Sequence, residues 1–339
     1  MKFDVAVGNP PYQENRDGGK DLPIYPCFYE LAEKIANKYI LISPARFLFG
    51  AGATNSDWNN KMLNDEHLKV VYFNQKSSEV FQNTDIKGGV AVVYRDSSKT
   101  YGAIETFTIF DELNTILKKV ESLSSDNIGK ILYGVTSYTF SPKTYEEYPE
   151  IPSRVGKGSG NQLTSRIFDA APEVFLDDKQ NDDQIQIYGR QDNNRIYKWI
   201  SPDYLQLPEN LNSYKVFIPA ANGSGAIGET LSSPTIGQPL IGHTATFISI
   251  GNFRTEFEAN ALLKYLKSKL ARTMLGIKKN TQHNKTKDVW SKVPLQDFTS
   301  ESDIDWTKSI SEIDQQLYAK YGLDQSEIDF IESKVKTMD

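Results

Sequence analysis

The chain has 339 residues, 39% of them apolar and 24% charged, which are values of a globular protein and not of a disordered one. That length exceeds what one ordinary core supports and predicts two domains. The net charge of −6 argues against a nucleic-acid partner only on average, because residues 264–292 hold nine Lys or Arg and one acid, Asp288, whereas residues 297–339 hold eleven Asp or Glu and four Lys.

Apolar runs such as YILISPARFLF (39–49) fall far short of the roughly 20 residues that cross a bilayer, so no membrane partner is expected. The N-terminal MKFDVAVGNPPY has no signal-peptide pattern. A single cysteine, Cys27, excludes an internal disulfide and fits a reducing cytoplasm. It lies in the apolar-periodic IYPCFYELA and reads as a buried small hydrophobe.

In chain order, residues 3–8 (FDVAVG) predict a short buried strand, and the polar, Gly-rich 13–21 a loop. Residues 22–38 predict a helix with Phe28, Leu31, Ala32 and Ile35 on its buried face. YILIS (39–43) reads as a strand ended by Pro44, and residues 55–67 as a helix capped at Asn55 or Ser56. LKVVYF (68–73) and GGVAVVYRD (88–96) read as further strands, an alternation that marks an α/β, doubly wound sheet. Residues 110–123 predict a connecting helix. Residues 130–250 are rich in Gly, Pro, Ser, Tyr and Asn, with β-like runs QIQIYG and KVFIPAA, and predict an irregular α+β domain. Residues 255–275 carry one 3.6-residue apolar stripe, and two short helices follow with docking faces Ile310, Ile313, Leu317 and Ile328, Ile331, Val335.

The first strand runs into Asn9-Pro10-Pro11-Tyr12. Consecutive prolines fix φ at roughly −65° and hold the preceding Asn extended, so acceptors there are prepositioned. A stiff polyproline turn at a strand end is the plain alternative. A Pro-Pro-x-Tyr ligand motif is poorly supported, since Gln13 stands where the Tyr would be.

This stretch resembles the catalytic motif of N6-adenine-specific DNA methyltransferases of bacterial restriction–modification systems. In that family two acceptors grip the N–H groups of adenine's exocyclic amine and draw it toward a nucleophilic geometry. The resemblance assigns them to the Asn9 side-chain oxygen and the Pro10 carbonyl, with Pro11 stiffening the loop. Tyr12 would stack on the base once it is flipped from the duplex. Asn in first position favours adenine, since cytosine-N4 relatives usually carry Ser there. The resemblance continues through IYPCFYELAEKI, through YILISPARFLF with Pro44, and through SSEVFQNTDIKGGVAVVYRD, where Phe81 would stack on the other face of the base. An ordinary core aromatic is the alternative for Phe81. The match covers about residues 3–95, and a weaker one covers about 240–339.

The family needs S-adenosylmethionine, usually seated on a Gly-x-Gly turn that precedes the catalytic strand. Only eight residues precede Asn9, so Asn9 is a partial cofactor contact and the other contacts are expected outside this sequence. GSGAIG (Gly223–Gly228) matches a Gly-x-Gly-x-x-Gly turn, but two prolines follow where a helix should, and a tight loop is the reading preferred. The expectation is therefore a partial Rossmann-like methyltransferase sheet lacking its cofactor-binding first strands, in residues 1–109. A target-recognition domain (110–295) and a helical tail (296–339) would follow. An unpaired apolar edge at 3–8 would be covered by an N-terminal cofactor half, in this polypeptide or a separate subunit.

Double-stranded DNA is the expected partner. In the basic segment Lys278, Lys279, Lys285 and Lys287 would meet phosphates, and Gln282, His283 and Asn284 base edges. A solvated helix face and charged loop is the alternative. Arg190, Arg195 and Lys198, interleaved with aromatics and amides, form a second candidate. No Cys or second His lies at ligand spacing from His283, so no metal is expected. The competing functions are a non-catalytic DNA-recognition subunit or decayed remnant, and a protein–protein module docking through its acidic tail helices.

Overall fold

The strand–helix–strand pattern expected before residue 110 forms a four-stranded sheet in the computed structural model. The structure describes residues 3–14, 22–49, 54–82, 86, 88–156, 160–223, 225–279 and 282–338. The chain divides into two compact units, Met1–Asn114 and Thr115–Asp339, each with its own core.

The first unit contains β1 (Phe3–Gly8), α1 (Tyr25–Ile35), β2 (Ala36–Pro44), α2 (Ser56–Leu63), β3 (Leu68–Asn74) and β4 (Val90–Asp96). The sheet order is β1-β2-β4-β3. β1 and β2 are parallel, joined through α1, and β4 runs antiparallel to both β2 and β3. The strands β1, β2 and β3 therefore share a direction, and their carboxyl ends, Gly8, Pro44 and Asn74, lie along one edge where β4 begins at Val90. The Asn55 side chain caps α2 by accepting the N–H groups of Asp57 and Trp58, as the sequence predicts.

Two expectations fail in this unit. The strand at 3–8 is not buried: Phe3, Val5 and Val7 are 68%, 49% and 74% exposed. They occupy the sheet edge and point away from the side on which Ala6 joins the core. Helix α1 is also rotated from its predicted face. Tyr25, Tyr29 and Ala32 are buried, while Leu31 is half exposed and Cys27 is exposed, not core. The larger rings win the interior because they bury more area and Tyr29 finds a polar partner. Its ring meets Tyr39 and Trp58, each at 5.7 Å between centroids, and its hydroxyl bonds Ser43 Oγ at 2.9 Å.

Helix α3 (Asp111–Leu123) runs through the boundary between the units. The second unit is mixed α/β, with several small sheets. A hairpin of β5 (Ile185–Gln191) and β6 (Asn194–Ile200) turns at Asp192 and Asn193, both at positive φ, as a two-residue connection with right-handed strand twist requires. β7 (Tyr214–Pro219) is flanked by β8 (Thr235–Gly237) and by β10 (Phe247–Phe253), while β9 (Ile241–His243) joins β5 in parallel. The predicted helical stripe at 255–275 is two helices, α4 (Glu256–Lys267) and α5 (Lys269–Lys278). Ser268 ends the first and caps the second by accepting the Ala271 N–H. α6 (Ile310–Lys320) and α7 (Gln325–Lys334) close the chain, with Ile313, Leu317, Ile331 and Val335 buried. Capping boxes start α4, α6 and α7 at Thr255, Ser309 and Asp324. Among the described residues no helix is long and apolar enough to cross a membrane.

Candidate active site and nucleic-acid interface

The carboxyl edge of the first unit's sheet is where open α/β sheets seat ligands, because loops leave the strands there with their polar backbone groups unspent. Asn9-Pro10-Pro11-Tyr12 leaves this edge directly after β1. Pro10 is buried and anchors the loop, whereas Asn9 and Pro11 are exposed. The Tyr12 hydroxyl donates to Asn9 Oδ1 at 2.8 Å. Burial pushes the Tyr12 phenol above its ordinary range, with the Asn9 bond opposing, so the hydroxyl stays a proton donor at neutral pH. The loop is closed behind by the Ile24 N–H, which donates to the Tyr12 carbonyl at 3.1 Å, and by a short ladder pairing Gln13 with Pro23 and Glu14 with Leu22.

Phe81 reaches the same edge from β3. The chain leaves Asn74, makes one short turn at Ser77–Glu79, and the Phe81 N–H donates to the Ser77 carbonyl at 2.8 Å. Phe81 is half-buried. Buried Ser77 also accepts the Ile86 N–H on its Oγ at 2.8 Å, so one residue holds both sides of the loop. Gly89 then permits the return into β4. At its φ of +81° a side chain would be strained, and a Cβ would lie 2.3 Å from the Asn74 carbonyl oxygen. Ser77 and Gly89 were missed as positioning residues. Their signal in the sequence is the polar SSE after a strand and the Gly pair before the next.

The proposed nucleic-acid residues separate into two groups. Lys285 and Lys287 are exposed, as are Gln282, His283, Arg190 and Arg195, and Lys278 is partly so. Arg190 bonds the Asn193 carbonyl and side chain at its own hairpin, and Arg195 donates to the carbonyls of Ser232 and Ser233. The second group does not fit the expectation. Lys279 is buried, its ammonium donating to the Asn222 carbonyl and to Glu229 Oε2, both at 2.9 Å. Asn284 is buried too; its amide bonds Pro219 and Asn222, and its carbonyl accepts the Trp290 indole N–H. Lys198 is buried and paired with Asp177. The Lys279 and Lys198 ammonium groups and the Asn284 amide N–H groups are turned to internal partners, which offset the cost of burying them.

The described part of the glycine-rich turn, Gly223 and residues 225–228, is occupied by Glu229. Glu229 Oε1 accepts the Ala226 N–H at 2.7 Å, and a Cβ on Gly223 would collide with the Glu229 carboxylate at 1.8 Å. A phosphate or cofactor carboxylate would have to displace this resident anion, so the turn does not serve as a cofactor cradle. Among the described residues no group of three His, Cys, Asp or Glu is arranged to hold a metal ion.

An adenine-specific methylase of Mycoplasma pneumoniae, itself uncharacterized, is 32% identical over 95 residues, which are 26% of this chain and 22% of that protein. Among solved structures, the type IIG restriction endonuclease BpuSI aligns at a TM-score of 0.34 and 11% identity, over 94% of this chain and 48% of that one. The type IIL restriction-modification enzyme MmeI, solved in complex with DNA, aligns at 0.34 and 10% identity, over 98% and 56%. The chain thus spans about a fifth of that curated relative and about half of those enzymes. Residues 1–81, the part that carries Asn9, Tyr12 and Phe81, match the Eco57I restriction-modification methylase family.

Proposed function

We propose that this chain supplies the target-base loop and the DNA-recognition surface of a site-specific adenine-N6 DNA methyltransferase. The observation that carries the reading is the Asn9–Tyr12 loop at the carboxyl edge of β1, with the Phe81 loop leaving the same edge from β3. Asn9 Oδ1 has two acceptor directions, and Tyr12 takes one. The other is open to an adenine N–H, and the Pro10 carbonyl accepts the second. Accepting both hydrogens pulls the amine out of conjugation with the ring and exposes its lone pair. The Tyr12 and Phe81 rings sandwich the flipped base, which offsets the lost stacking of the duplex. Lys278, Lys285 and Lys287 supply phosphate contacts, and Gln282 and His283 reach base edges. On this reading residues 1–109 are the catalytic half of a Rossmann-like domain, 110–295 a target-recognition domain and 296–339 a helical tail.

S-adenosylmethionine, when bound, supplies the methyl group. Asn9 is the described residue this reading offers it, and at the glycine-rich turn Glu229 already accepts the Ala226 N–H. The exposed Phe3, Val5 and Val7 row supports a further, cofactor-bearing segment that pairs with β1, from this polypeptide or a second subunit. The test combines the chain with such a segment and follows labelled methyl transfer to duplex DNA. Transfer that Asn9→Ala abolishes is expected; transfer retained by that variant overturns the assignment. Tight calorimetric binding of S-adenosylmethionine by the present chain alone would refute the need for a further segment.

A further inference from the structure

Arg46 stands on the carboxyl edge of the first unit's sheet, two residues past the end of β2, in the short turn Ala45–Phe49. That turn is tied to the return of the Phe81 loop, because the Ala45 N–H donates to the Gly89 carbonyl at 3.0 Å. The Arg46 stem crosses the return at Gly88. A Cβ there would lie 2.5 Å from Arg46 Cγ, and Gly88 holds a φ of +89°. In the sheet order β1-β2-β4-β3, the strand ends that carry Arg46 and Gly88 lie between the strand that delivers Asn9 and the one that delivers Phe81. A row of aromatic residues leads from Arg46 toward the Asn9 loop. Burial pushes the Tyr25 phenol up to about 12, and the Arg46 charge opposes the rise. The Tyr25 ring meets Tyr29 at 6.5 Å between centroids, and Tyr29 lies within electrostatic reach of Tyr12.

The charge of Arg46 is left uncompensated. Arg95, the other described arginine of the first unit, is half-buried and paired with Glu33 and Asp65. Arg46 is exposed, and among the described residues no carboxylate pairs with it and no acceptor takes its N–H groups. A guanidinium keeps its proton and offers five donors in a fixed fork. With its stem laid across Gly88, part of its rotational freedom is already given up, so less is lost when the fork meets an anion.

A base flipped between Tyr12 and Phe81 stays joined to the phosphates on either side of it, which therefore lie at the mouth of that site. We propose, on the reading that the Asn9 loop takes a flipped adenine, that Arg46 binds a backbone phosphate flanking that adenine. The fork suits two phosphoryl oxygens at once. The contact forms when the nucleotide is extruded and holds it there, and it carries no information about the neighbouring sequence. Arg46 thus adds a hold on the nucleotide's backbone to the grip of Asn9 and Pro10 on its base.

The test measures binding of the full chain to two fluorescent duplexes of one sequence, fully paired or with a single unpaired adenine. Each is also made with neutral methylphosphonates at the two linkages that flank that adenine. The wild-type chain is expected to favour the unpaired adenine. Arg46→Gln should weaken that complex at least several-fold, reduce its slope of log affinity against log salt by about 0.9, and leave the paired duplex nearly unaffected. Arg46→Lys should fall between the two. On the methylphosphonate duplexes the wild type and Arg46→Gln should bind alike. The side chain is exposed, so both variants should keep the wild-type melting temperature. A preference for the unpaired adenine that Asn9→Ala loses and Arg46→Gln keeps would overturn this proposal and leave the proposed function standing. So would a loss from Arg46→Gln that persists in full on the methylphosphonates. A wild-type chain that binds paired and unpaired adenine alike overturns both.

Discussion

The Tyr12 hydroxyl donates to Asn9 Oδ1 at 2.8 Å, so the loop's own aromatic residue orients the acceptor that the proposed chemistry requires. This separates the two parts of Tyr12. Tyr12→Phe keeps a stacking ring but frees the Asn9 side chain to rotate; Tyr12→Ala removes both. In labelled-methyl assays of the complemented enzyme, Tyr12→Phe is expected to lower turnover by about fivefold, the cost of one net hydrogen bond of roughly 1 kcal/mol, and Tyr12→Ala by considerably more. Wild-type turnover in Tyr12→Phe would show that the hydroxyl plays no orienting part.

Ser77 predicts a local effect on stability. Ser77→Ala leaves the half-buried Ile86 N–H without its acceptor, at a cost of about 1 kcal/mol in urea unfolding. Amide exchange should quicken on both sides of the Phe81 loop and not in α2.

Gly89→Ala should cost about 1–3 kcal/mol for backbone strain at positive φ, with an added clash against the Asn74 carbonyl that no flexible side chain can relieve. Gly102 has a similar φ of +81° and open space around it. Gly102→Ala should therefore show the smaller loss in the same denaturation experiment.

Lys279 and the exposed lysines should fail differently. Lys279→Ala removes the cation paired with Glu229 and is expected to destabilise the second unit by about 3–5 kcal/mol, the range for breaking a buried pair. Lys285→Ala and Lys287→Ala should leave the melting temperature unchanged. Each should reduce the slope of log affinity for DNA against log salt by about 0.9. A slope insensitive to both would remove this loop from the interface.

Two buried groups give opposite pH dependence. His243 Nδ1 faces the Thr244 carbonyl, which only accepts, so Nδ1 carries the proton and Nε2 accepts from Ser249. Burial pushes the imidazole pKa down from 6.5 to about 4. The unfolded chain binds the extra proton first, so this contribution is present above 6.5 and is lost as pH falls toward 4. Burial pushes the Asp314 carboxyl up from 3.8 to about 6, against its two backbone donors. Here the folded chain binds the proton first, so stability from this group rises as pH falls from 6 toward 3.8. The wild-type advantage over Asp314→Asn should therefore shrink between pH 4 and 6, and the advantage over His243→Asn should grow over the same range.

What the sequence made legible follows from locality. Asn9-Pro-Pro-Tyr is contiguous, and a strand before it and a loop after it can be read from neighbours alone. The α2 cap at Asn55 and the helices after residue 300 were legible for the same reason. The face of α1 was not, because the helix carries two apolar stripes, and the partners of the buried one, Tyr39, Ser43 and Trp58 around Tyr29, lie outside the helix. Lys279 and Asn284 looked like solvent-facing members of a basic run. Their partners, Glu229 and Asn222, lie 50 and 62 positions away, beyond any window of periodicity.

The edge strand β1 ends at Gly8, one residue before Asn9; among the described residues it pairs with β2 alone, and its Phe3, Val5 and Val7 are exposed. A strand held on one side twists and frays more freely than one held on both. Any segment that zips onto this edge therefore stiffens the stalk from which the Asn9 loop hangs. On the proposed function, assembly and turnover would be coupled through the six residues of β1, and conditions that favour pairing at Phe3 would sharpen the geometry at Asn9 without touching it.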